Sequence, residues 1–493
     1  MSHNINRDSI SDPKPEPLIG RNTGYKKEVI PMIENFPKGF KWGAATSSYQ
    51  IEGAAHTDGR GSSIWDTFSY TDGKVVGGEN GDVACDHYNR YPEDIQIMKD
   101  LGLQTYRFSI AWPRLFPNGD SVREQRGFDF YNRLIDGLIE AGIEPVATIY
   151  HWDLPQTLQD NGGWANRDIV PAFADYAAAC VEAFGDRIKN FITLNEPWCT
   201  SWLGYAIGVH APGVKDVDQA IAASHHTAMA HGAAARAMRA VRSDIRVGIA
   251  LNMTNYRVTP DANADVIELS HLMDSNINRW WLDAAIHGRY PQNLVDSYGE
   301  KLSKLVQPGD MELVKVDTDF FGVNYYSDSF LANPRPEDKP ISEGGLFPFP
   351  QRADGTPPEP YTAMGWPITP RGLGDLVLRI ARDWPEVKDI TITENGVAYD
   401  DVVSEDGEVH DTKRVEYLTA HLESLGRGIA GGAPVSAYFA WSLLDNFEWA
   451  EGYAKRFGIV HVDFETLKRT PKDSAKEYGA IISFHAERNT VRQ

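Results

Sequence analysis

Cysteine and long apolar runs are the scarcest features of this sequence. Its 493 residues include three cysteines, Cys85, Cys180 and Cys199. Because this odd number shows no paired spacing, a disulfide framework is excluded and a cysteine-based metal site is disfavoured. No apolar run reaches the roughly 18 residues of a membrane-spanning helix, and the N-terminus lacks the apolar core of roughly 7–15 residues that a secretory signal needs. We therefore expect a cytoplasmic protein that does not enter a membrane.

Positive charge is also in deficit. The chain carries 48 Lys and Arg against 69 Asp and Glu, a formal net charge of −21 at pH 7. Such a surface repels phosphate backbones and anionic lipids, so neither nucleic acid nor a membrane is an expected partner. Aromatic side chains, in contrast, are plentiful: 13 Trp, 21 Tyr and 20 Phe. They suit either a large core or the stacking of sugar rings and other flat ligands.

The order of the chain predicts one large domain behind a leader. Residues 1–35 combine polar residues with several prolines, and we interpret them as a flexible N-terminal leader. Residues 36–487 show no internal repeat and no linker, which favours a single domain. The longest irregular stretch, Ser327 to Pro370, is rich in Pro and Gly, and we interpret it as one long loop of that domain.

Strand-like and helix-like segments alternate through this domain. Eight strand-like runs are FKWGAATSSYQIEG from Phe40, TYRFSIAW from Thr105, EPVATIYHW from Glu144, NFITLNEP from Asn190, RVGIALN from Arg246, DFFGVNYY from Asp319, DITITENG from Asp389 and PVSAYFAWSL from Pro434. Eight βα units predict an α/β fold, a closed (β/α)8 TIM barrel with long βα loops. A doubly wound open sheet would show a glycine-rich phosphate loop after its first strand, and KWGAAT has a single glycine.

Five of the intervening segments have clear helical periodicity. They are FDFYNRLIDGLIEAG from Phe128, DIVPAFADYAAACVEAFG from Asp168, DVDQAIAASHHTAMAHGAAARAMRAV from Asp216, GLGDLVLRIARDW from Gly372 and TKRVEYLTAHLESLGRGIAGG from Thr412. The first and the last end in glycine, which is typical of a helix C-terminus. On the third, His225, His226 and His231 do not share one helix face well, so we interpret them as solvated or helix-packing residues and not as metal ligands.

Polar or aromatic side chains stand at the end of every predicted strand. In chain order they are Gln50 and Glu52, Arg107, His151 and Trp152, Asn195 and Glu196, Asn252, Asn324 with Tyr325 and Tyr326, Glu394, and Trp441 followed by Glu448 and Trp449. In a TIM barrel the carboxyl ends of the strands meet at one face, where active sites lie. A barrel without a site has no need of such residues at every end, so the set indicates a functional site.

The chemistry of this set points to glycoside hydrolysis. Two carboxylates, Glu196 and Glu394, come from different strands, as in enzymes where one carboxyl protonates the leaving oxygen and the other attacks or activates water. Amides and histidine suit sugar hydroxyls, and tryptophan suits the apolar face of a pyranose. A carboxyl separation of about 5–5.5 Å would mean retention of configuration, and about 6.5–9.5 Å inversion.

The motifs around both acids resemble those of glycoside hydrolase family 1, the β-glucosidase family. TLNEP (193–197) looks like its acid/base motif and ITENG (392–396) like its nucleophile motif. Four further motifs resemble the family in family order: FPKGFKWGAATSSYQIEG from Phe36, YRFSIAWPRLFP from Tyr106, YHWDLPQ from Tyr150 and WSLLDNFEWAEGYAKRFGIVHVD from Trp441. The resemblance therefore spans nearly the whole chain and implies a retaining β-glucosidase with no cofactor and no metal.

The resemblance also implies roles at the reacting centre. Glu394 would be the nucleophile, held by a nearby Arg107 and by the hydroxyl of Tyr326, while Tyr325 points the other way. Glu196 would be the general acid and then the general base, which requires its pKa to lie above the usual Glu value. Asn195 would bind the sugar 2-hydroxyl.

The remaining site residues would bind the substrate. The resemblance implies contacts to the non-reducing sugar by Gln50, His151, Glu448 and Trp449, a stacking floor by Trp441, a platform for the leaving group by Trp366, and a wall by Phe457. Trp152 and Asn324 are further predicted substrate-binding residues. The expected ligand is a small-molecule β-glucoside or cello-oligosaccharide released in cellulose degradation. A homo-oligomer is left open.

Several neighbouring functions compete with this interpretation. A 6-phospho-β-glucosidase usually has a smaller residue where Glu448 stands, although Tyr453 and Lys455 resemble its phosphate ligands. A plant thioglucosidase has Gln in place of Glu196. β-Galactosides and β-fucosides remain alternative substrates. A metal-dependent barrel hydrolase needs ligands clustered at strand ends, where only His151 qualifies, and a sugar-binding protein without activity would lack one of the acids.

Overall fold

The computed structural model describes residues 34–333 and 360–491. Almost all of the predicted leader over residues 1–35, and residues 334–359 of the predicted long loop, lie outside these ranges.

A closed barrel of eight parallel strands forms the centre of the domain. The barrel strands are β1 (Lys41–Ala45), β2 (Thr105–Ser109), β3 (Glu144–Tyr150), β4 (Asn190–Asn195), β5 (Arg246–Asn252), β7 (Phe320–Asn324), β9 (Ile390–Asn395) and β10 (Val435–Trp441). Each pairs in parallel with the next barrel strand along the chain, and β1 closes the ring on β10. The predicted TIM barrel is confirmed. Because all the strands are parallel, their carboxyl ends meet at one rim.

The first strand is shorter than predicted. It ends at Ala45, and the chain then forms a short helix, Ser48–Ile51. Tertiary contacts explain the change, because the backbone N–H of Ser48 donates to Oγ of Ser109 at 2.7 Å and its hydroxyl donates to Asp153 at 2.6 Å. Gln50 therefore belongs to this helix and not to the strand end.

Helices cover the outside of the barrel. Their bounds are Ser48–Ile51, Ile64–Ser69, His87–Asp100, Trp112–Leu115, Gln125–Glu140, Gln156–Asp160, Ile169–Phe184, Val217–Val241, Ala264–Asp274, Trp280–His287, Gln292–Tyr298, Glu300–Ser303, Asp310–Val314, Pro370–Asp383, Thr412–Ala430 and Asp473–Val491, with π-helical turns at Cys199–Ile207 and Ser275–Arg279 and 3₁₀ turns at Val76–Gly78, Gly163–Ala165 and Trp449–Glu451. All five predicted helices are present, with ends within a few residues of prediction. Gly142, just past the first of them, has φ of 78°, which only glycine adopts at low cost.

Two small sheets extend the loops. β6 (Tyr256–Val258) and β8 (Ser329–Leu331) pair in parallel beyond β5 and β7, and β11 (Val460–Val462) pairs with β12 (Arg469–Pro471) in antiparallel fashion. Ser329 of β8 lines the cavity at the barrel rim. Pairing with β6 therefore gives the first part of the long loop a defined course along the rim.

The hydrophobic core has two parts. The larger cluster fills the space around the barrel strands and their covering helices. The smaller one is built largely from strand residues such as Val146, Ile192, Ala250 and Phe320, and it extends to Trp441 of the cavity wall. The cavity thus rests on packed side chains.

Candidate active site

A cavity of about 1100 Å³ opens at the carboxyl ends of the strands. The predicted site residues that line it are His151, Trp152, Asn195, Glu196, Asn324, Tyr326, Trp366, Glu394, Trp441, Glu448, Trp449 and Phe457. Arg107 and Gln50 are fully buried and are not part of the lining. Each of them contacts a carboxyl group that does line the cavity: Arg107 contacts Glu394, and Gln50 contacts Glu448.

Glu394, at the end of β9, receives two strong hydrogen bonds. Nη1 of Arg107 donates to Oε1 and the hydroxyl of Tyr326 donates to Oε2, both at 2.6 Å. Arg107 is held from behind, because its other N–H groups donate to Oγ1 of Thr148 and to the carbonyl of Thr393, both at 3.0 Å. The hydroxyl of Tyr325 points away and donates to Asp328 at 2.9 Å. The expected positions of Arg107 and of both tyrosines are confirmed.

Glu196, at the end of β4, has neutral partners. Nδ2 of Asn324 donates to Oε1 at 2.7 Å, and the thiol of Cys199 donates to Oε2 at 3.1 Å. No cation within the described residues forms a salt bridge with Glu196 at 4.0 Å or less. The two acids therefore stand in unlike surroundings.

These surroundings give the two acids different protonation states. Burial, followed by the charge of Glu394, raises the pKa of Glu196 to about 7. Burial also raises the pKa of Glu394, whereas Arg107 and Tyr326 oppose that rise. The guanidinium of Arg107 donates to Glu394 and not to Glu196. We therefore assign the first ionisation of the two carboxyls to Glu394 and the retained proton to Glu196. The raised pKa of Glu196 agrees with the expectation from the sequence.

Hydrogen bonds also determine the tautomer of His151. Nη2 of Arg107 can only donate, and it donates to Oδ1 of Asn195 at 2.6 Å. Nδ2 of Asn195 must therefore be the donor toward Nε2 of His151, at 3.0 Å. The proton of the imidazole then lies on Nδ1, which has no partner among the described residues. Burial and the charge of Arg107 lower the pKa of His151, so the ring is neutral.

Glu448 is a third buried carboxyl in the cavity. Burial and then the charges of Glu394 and Glu196 raise its pKa to about 8. Nε2 of Gln50 donates to Oε2 of Glu448 at 3.3 Å and to the carbonyl of Phe447 at 2.9 Å. The helix that replaces the end of the predicted first strand thus places Gln50 against Glu448. Glu52, grouped with Gln50 from the sequence, instead pairs with Arg114 at 2.9 Å and lies outside the cavity lining.

Aromatic rings form two walls. The imidazole of His151 lies nearly parallel to the rings of Trp441 and Trp449, with centroids 5.8 and 5.9 Å away. On the other side, the ring of Trp366 lies 5.4 Å from Tyr326 and 6.1 Å from Phe457. A flat ligand can enter between apolar faces while polar groups meet its edges.

Three cavity residues have left-handed backbones. Trp152, Glu196 and Trp449 have φ angles of 77°, 46° and 54°. Non-glycine residues adopt this region at a cost, and such residues cluster at functional sites. The surrounding contacts hold them there: for example, Nε1 of Trp152 donates to the carbonyl of Asn195 at 3.0 Å.

The cavity contains residues that the sequence did not single out. Cys199, Thr254 and Ser329 line it, together with Asn252 from the strand-end set. Cys199 follows Glu196 by three residues, a helical spacing that gives the only sequence signal for their contact. Thr254 lies in the loop after β5, and Ser329 begins β8, a strand of three residues that is too short for periodicity to indicate.

The three helical histidines are buried, so the expectation of solvated residues was wrong and that of helix packing is correct. Nδ1 of His225 bonds to the hydroxyl of Tyr290, Nδ1 of His226 donates to the carbonyl of Trp164, and Nδ1 of His231 bonds to the hydroxyl of Thr193. Throughout the described part of the chain, no group of three or more His, Cys, Asp or Glu could hold a metal ion. Within residues 34–333 and 360–491, no helix is long and apolar enough to cross a bilayer.

Comparisons with known proteins agree with this geometry. The family model for glycosyl hydrolase family 1 matches residues 32–487. β-Glucosidase A of Acetivibrio thermocellus is 46% identical over 448 residues, covering 91% of this chain and 98% of that protein. A 1,4-β-D-glucan glucohydrolase of Thermotoga neapolitana is 46% identical over 450 residues, covering 91% and 98%. The structure of a Thermotoga maritima β-glucosidase in complex with deoxynojirimycin matches with a TM-score of 0.85 at 45% identity, covering 92% of this chain and 99% of that one.

Proposed function

This chain belongs to glycosyl hydrolase family 1 and is a retaining β-glucosidase, and we propose that Glu394 is its nucleophile and Glu196 its acid/base catalyst. The unequal surroundings of the two acids carry this proposal. Among the residues that the structure describes, Glu394 receives hydrogen bonds from a guanidinium and a phenol, whereas Glu196 receives them only from an amide and a thiol. Such surroundings keep one carboxyl charged for attack and the other protonated for acid catalysis.

In the first step, Glu394 attacks the anomeric carbon of the β-glucoside. Glu196 gives its proton to the glycosidic oxygen, the bond from that oxygen to the anomeric carbon breaks, and the aglycone leaves as an alcohol. An α-linked glucosyl ester of Glu394 remains. The charge that Glu394 carried is consumed in the new bond.

In the second step, Glu196 acts as a base. Loss of the charge on Glu394 removes the second-largest cause of the raised pKa of Glu196, so the carboxylate form is favoured at the same pH. Glu196 takes a proton from water, the water oxygen attacks the anomeric carbon, and the bond to Glu394 breaks. Two inversions release β-glucose and restore both acids.

Recognition of the glucosyl unit falls to the polar end of the cavity. His151 lines this end of the cavity, and Asn195, fixed between Arg107 and His151, binds the 2-hydroxyl. Glu448 accepts hydrogen bonds from further hydroxyls, with Gln50 beside it. Trp441 supplies the apolar floor for the ring.

The substrates that we propose are terminal β-D-glucosyl groups of aryl or alkyl glucosides and of short oligosaccharides. Cello-oligosaccharides suit a cavity of about 1100 Å³, which exceeds the volume of one sugar ring. We also propose that the enzyme uses cellulose fragments in the cytoplasm. A 6-phosphate is disfavoured, because the ammonium of Lys455 already donates to the carbonyl of Ala363 at 2.8 Å. Glu448 would add repulsion once its carboxyl ionises, at a pKa of about 8. Activity on β-galactosides and β-fucosides is left to a substrate panel.

Azide rescue tests the two assignments separately. Glu394→Gly removes the nucleophile, so azide should occupy its place and give α-glucosyl azide from an activated aryl β-glucoside. Glu196→Ala leaves the nucleophile, so azide should replace water in the second step and give the β-glucosyl azide. NMR of the products distinguishes these outcomes, and the same anomer from both variants would contradict the assignment.

A further inference from the structure

The thiol of Cys199 lies in contact with the proposed acid/base. Cys199 begins the π-helical turn that follows β4, and the backbone N–H of Thr200 donates to the carbonyl of Glu196 at 3.1 Å. This turn brings Sγ to 3.1 Å from Oε2 of Glu196. Cys199 is 7% exposed and lines the cavity. The thiol is therefore placed where the proton transfer occurs.

The other oxygen of Glu196 is held by a group that can only donate. Oδ1 of Asn324 accepts from the hydroxyl of Thr393 at 2.6 Å, and Nδ2 donates to Oδ1 of Asn195 at 3.0 Å. Arg107 makes that Asn195 oxygen an acceptor. The amide of Asn324 is thereby fixed with its N–H toward Oε1 of Glu196. A proton on Oε1 would oppose this N–H, so the transferable proton belongs on Oε2, beside the thiol.

Resting on the proposed role of Glu196, we infer that Cys199 is a positioning residue for the acid/base step, and that its thiol holds Oε2 while Asn324 holds Oε1. A thiol is a weak donor and a weak acceptor. It stabilises the carboxylate when Glu196 is ionised, yet it does not retain the Oε2 proton against a glycosidic oxygen. A hydroxyl in place of the thiol would compete more strongly for that proton. A methyl group in its place would form no hydrogen bond with Oε2.

The other groups that face Glu196 do not depend on Cys199. The charges of Glu394 and Arg107 act on its carboxyl, and Tyr326 and Glu448 complete the titratable groups that sense its charge. They belong to β2, β9 and the loops after β7 and β10. A substitution at Cys199 leaves these groups in place and changes the donor on Oε2, so a pair of variants that keep or remove the donor tests that contact.

Two substitutions at Cys199 separate the hydrogen bond from packing. Cys199→Val keeps an apolar group of similar size without a donor, and Cys199→Ser keeps a donor. The measurement is kcat/KM against pH for an alkyl β-glucoside, whose poor leaving group needs the acid. In Cys199→Val the alkaline limb should move up by about half a pH unit, since a weak hydrogen bond to the ionised form is lost. In Cys199→Ser it should remain in place or move to lower pH.

Cys180→Val is the matched control. Cys180 is buried in the helix Ile169–Phe184 and is not part of the cavity lining, so its substitution should leave the alkaline limb in place. If both Cys199 variants move the limb equally, or if neither moves it, the inference is overturned. Glu196→Ala is measured in parallel, because full activity of this variant on the alkyl glucoside would contradict the proposed role of Glu196 itself.

Discussion

Arg107 and Glu394 form a buried ion pair, with Nη1 and Oε1 separated by 2.6 Å and the Arg107 side chain without solvent exposure. The two residues are 287 positions apart in the sequence and meet only because the barrel closes. No other described residue gives Glu394 a positive partner at this distance. The pair therefore favours the charged form of the proposed nucleophile, and the stability of the fold depends on both members being present, because either one alone would be a buried unpaired charge.

Arg107→Met should impair both properties. Removing one member of a buried pair leaves an uncompensated charge, which costs about 3–5 kcal/mol. The pKa of Glu394 would rise further, so the acid limb of kcat/KM should move to higher pH and activity at neutral pH should fall by roughly 100-fold. Urea unfolding and a pH profile measure the two effects.

Arg414→Met serves as the control for Arg107→Met. Arg414 forms a similarly buried ion pair with Asp411 at 2.6 Å but does not line the cavity. The Arg414→Met variant should be less stable than the wild type, while the acid limb of its kcat/KM profile stays in place. An unshifted acid limb in Arg107→Met would show that Arg107 has no part in the ionisation of Glu394.

The wild-type pH profile of kcat/KM should be bell-shaped. Glu196 must be protonated to act as an acid, so activity should be lost as the pH rises through its pKa of about 7. Glu394 must be ionised to attack, so activity should be lost as the pH falls through its own pKa. Steady-state kinetics with an aryl β-glucoside measures both limbs, which belong to the coupled pair. In Glu196→Gln the alkaline limb should disappear, and its persistence would assign that limb to another group.

Tyr326→Phe and Tyr325→Phe form a matched pair of neighbours. A hydrogen bond to a charged group contributes about 1.5–3 kcal/mol, so losing the Tyr326 hydroxyl, which donates to Glu394 at 2.6 Å, should reduce kcat/KM by about 10–100-fold. The Tyr325 hydroxyl donates to Asp328 at 2.9 Å instead, and its loss should lower stability while kinetics stay near wild type. Equal kinetic losses in both would refute the direct contact of Tyr326 with the nucleophile.

Gly396→Ala should damage the site through the backbone. A Cβ at Gly396 would lie 1.7 Å from the carbonyl oxygen of Trp441, so the ends of β9 and β10 would have to separate. Overpacking of this kind costs about 1–3 kcal/mol or more, and Glu394 and Trp441 would both move. The temperature of thermal unfolding and kcat/KM should both decrease. Gly39→Ala, where a Cβ would meet no atom within 4 Å, should change neither.

Gly396 also shows where sequence reasoning had limits. The ENG tripeptide has the composition of a turn, but Gly396 is not among the residues with positive φ. Its lack of a side chain serves the close approach of Trp441. The first strand gives a second example: the sequence predicted a strand-like run from Phe40 to Gly53, whereas contacts of Ser48 with Ser109 and Asp153 accompany a helix over Ser48–Ile51. Both contacts join distant parts of the chain, which local patterns do not encode.

The sequence by itself determined the eight βα units, the order of the motifs and the position of the two proposed acids at strand ends. These follow from local periodicity and from residue types at strand ends, which a linear chain displays directly. Only the tertiary structure decided how the acids differ. The pKa of Glu196, the tautomer of His151 and the contact of Cys199 with Oε2 depend on burial and on separations of a few ångströms between residues from different strands. Such separations arise when the barrel closes, because electrostatic and hydrogen-bond energies change steeply over those distances.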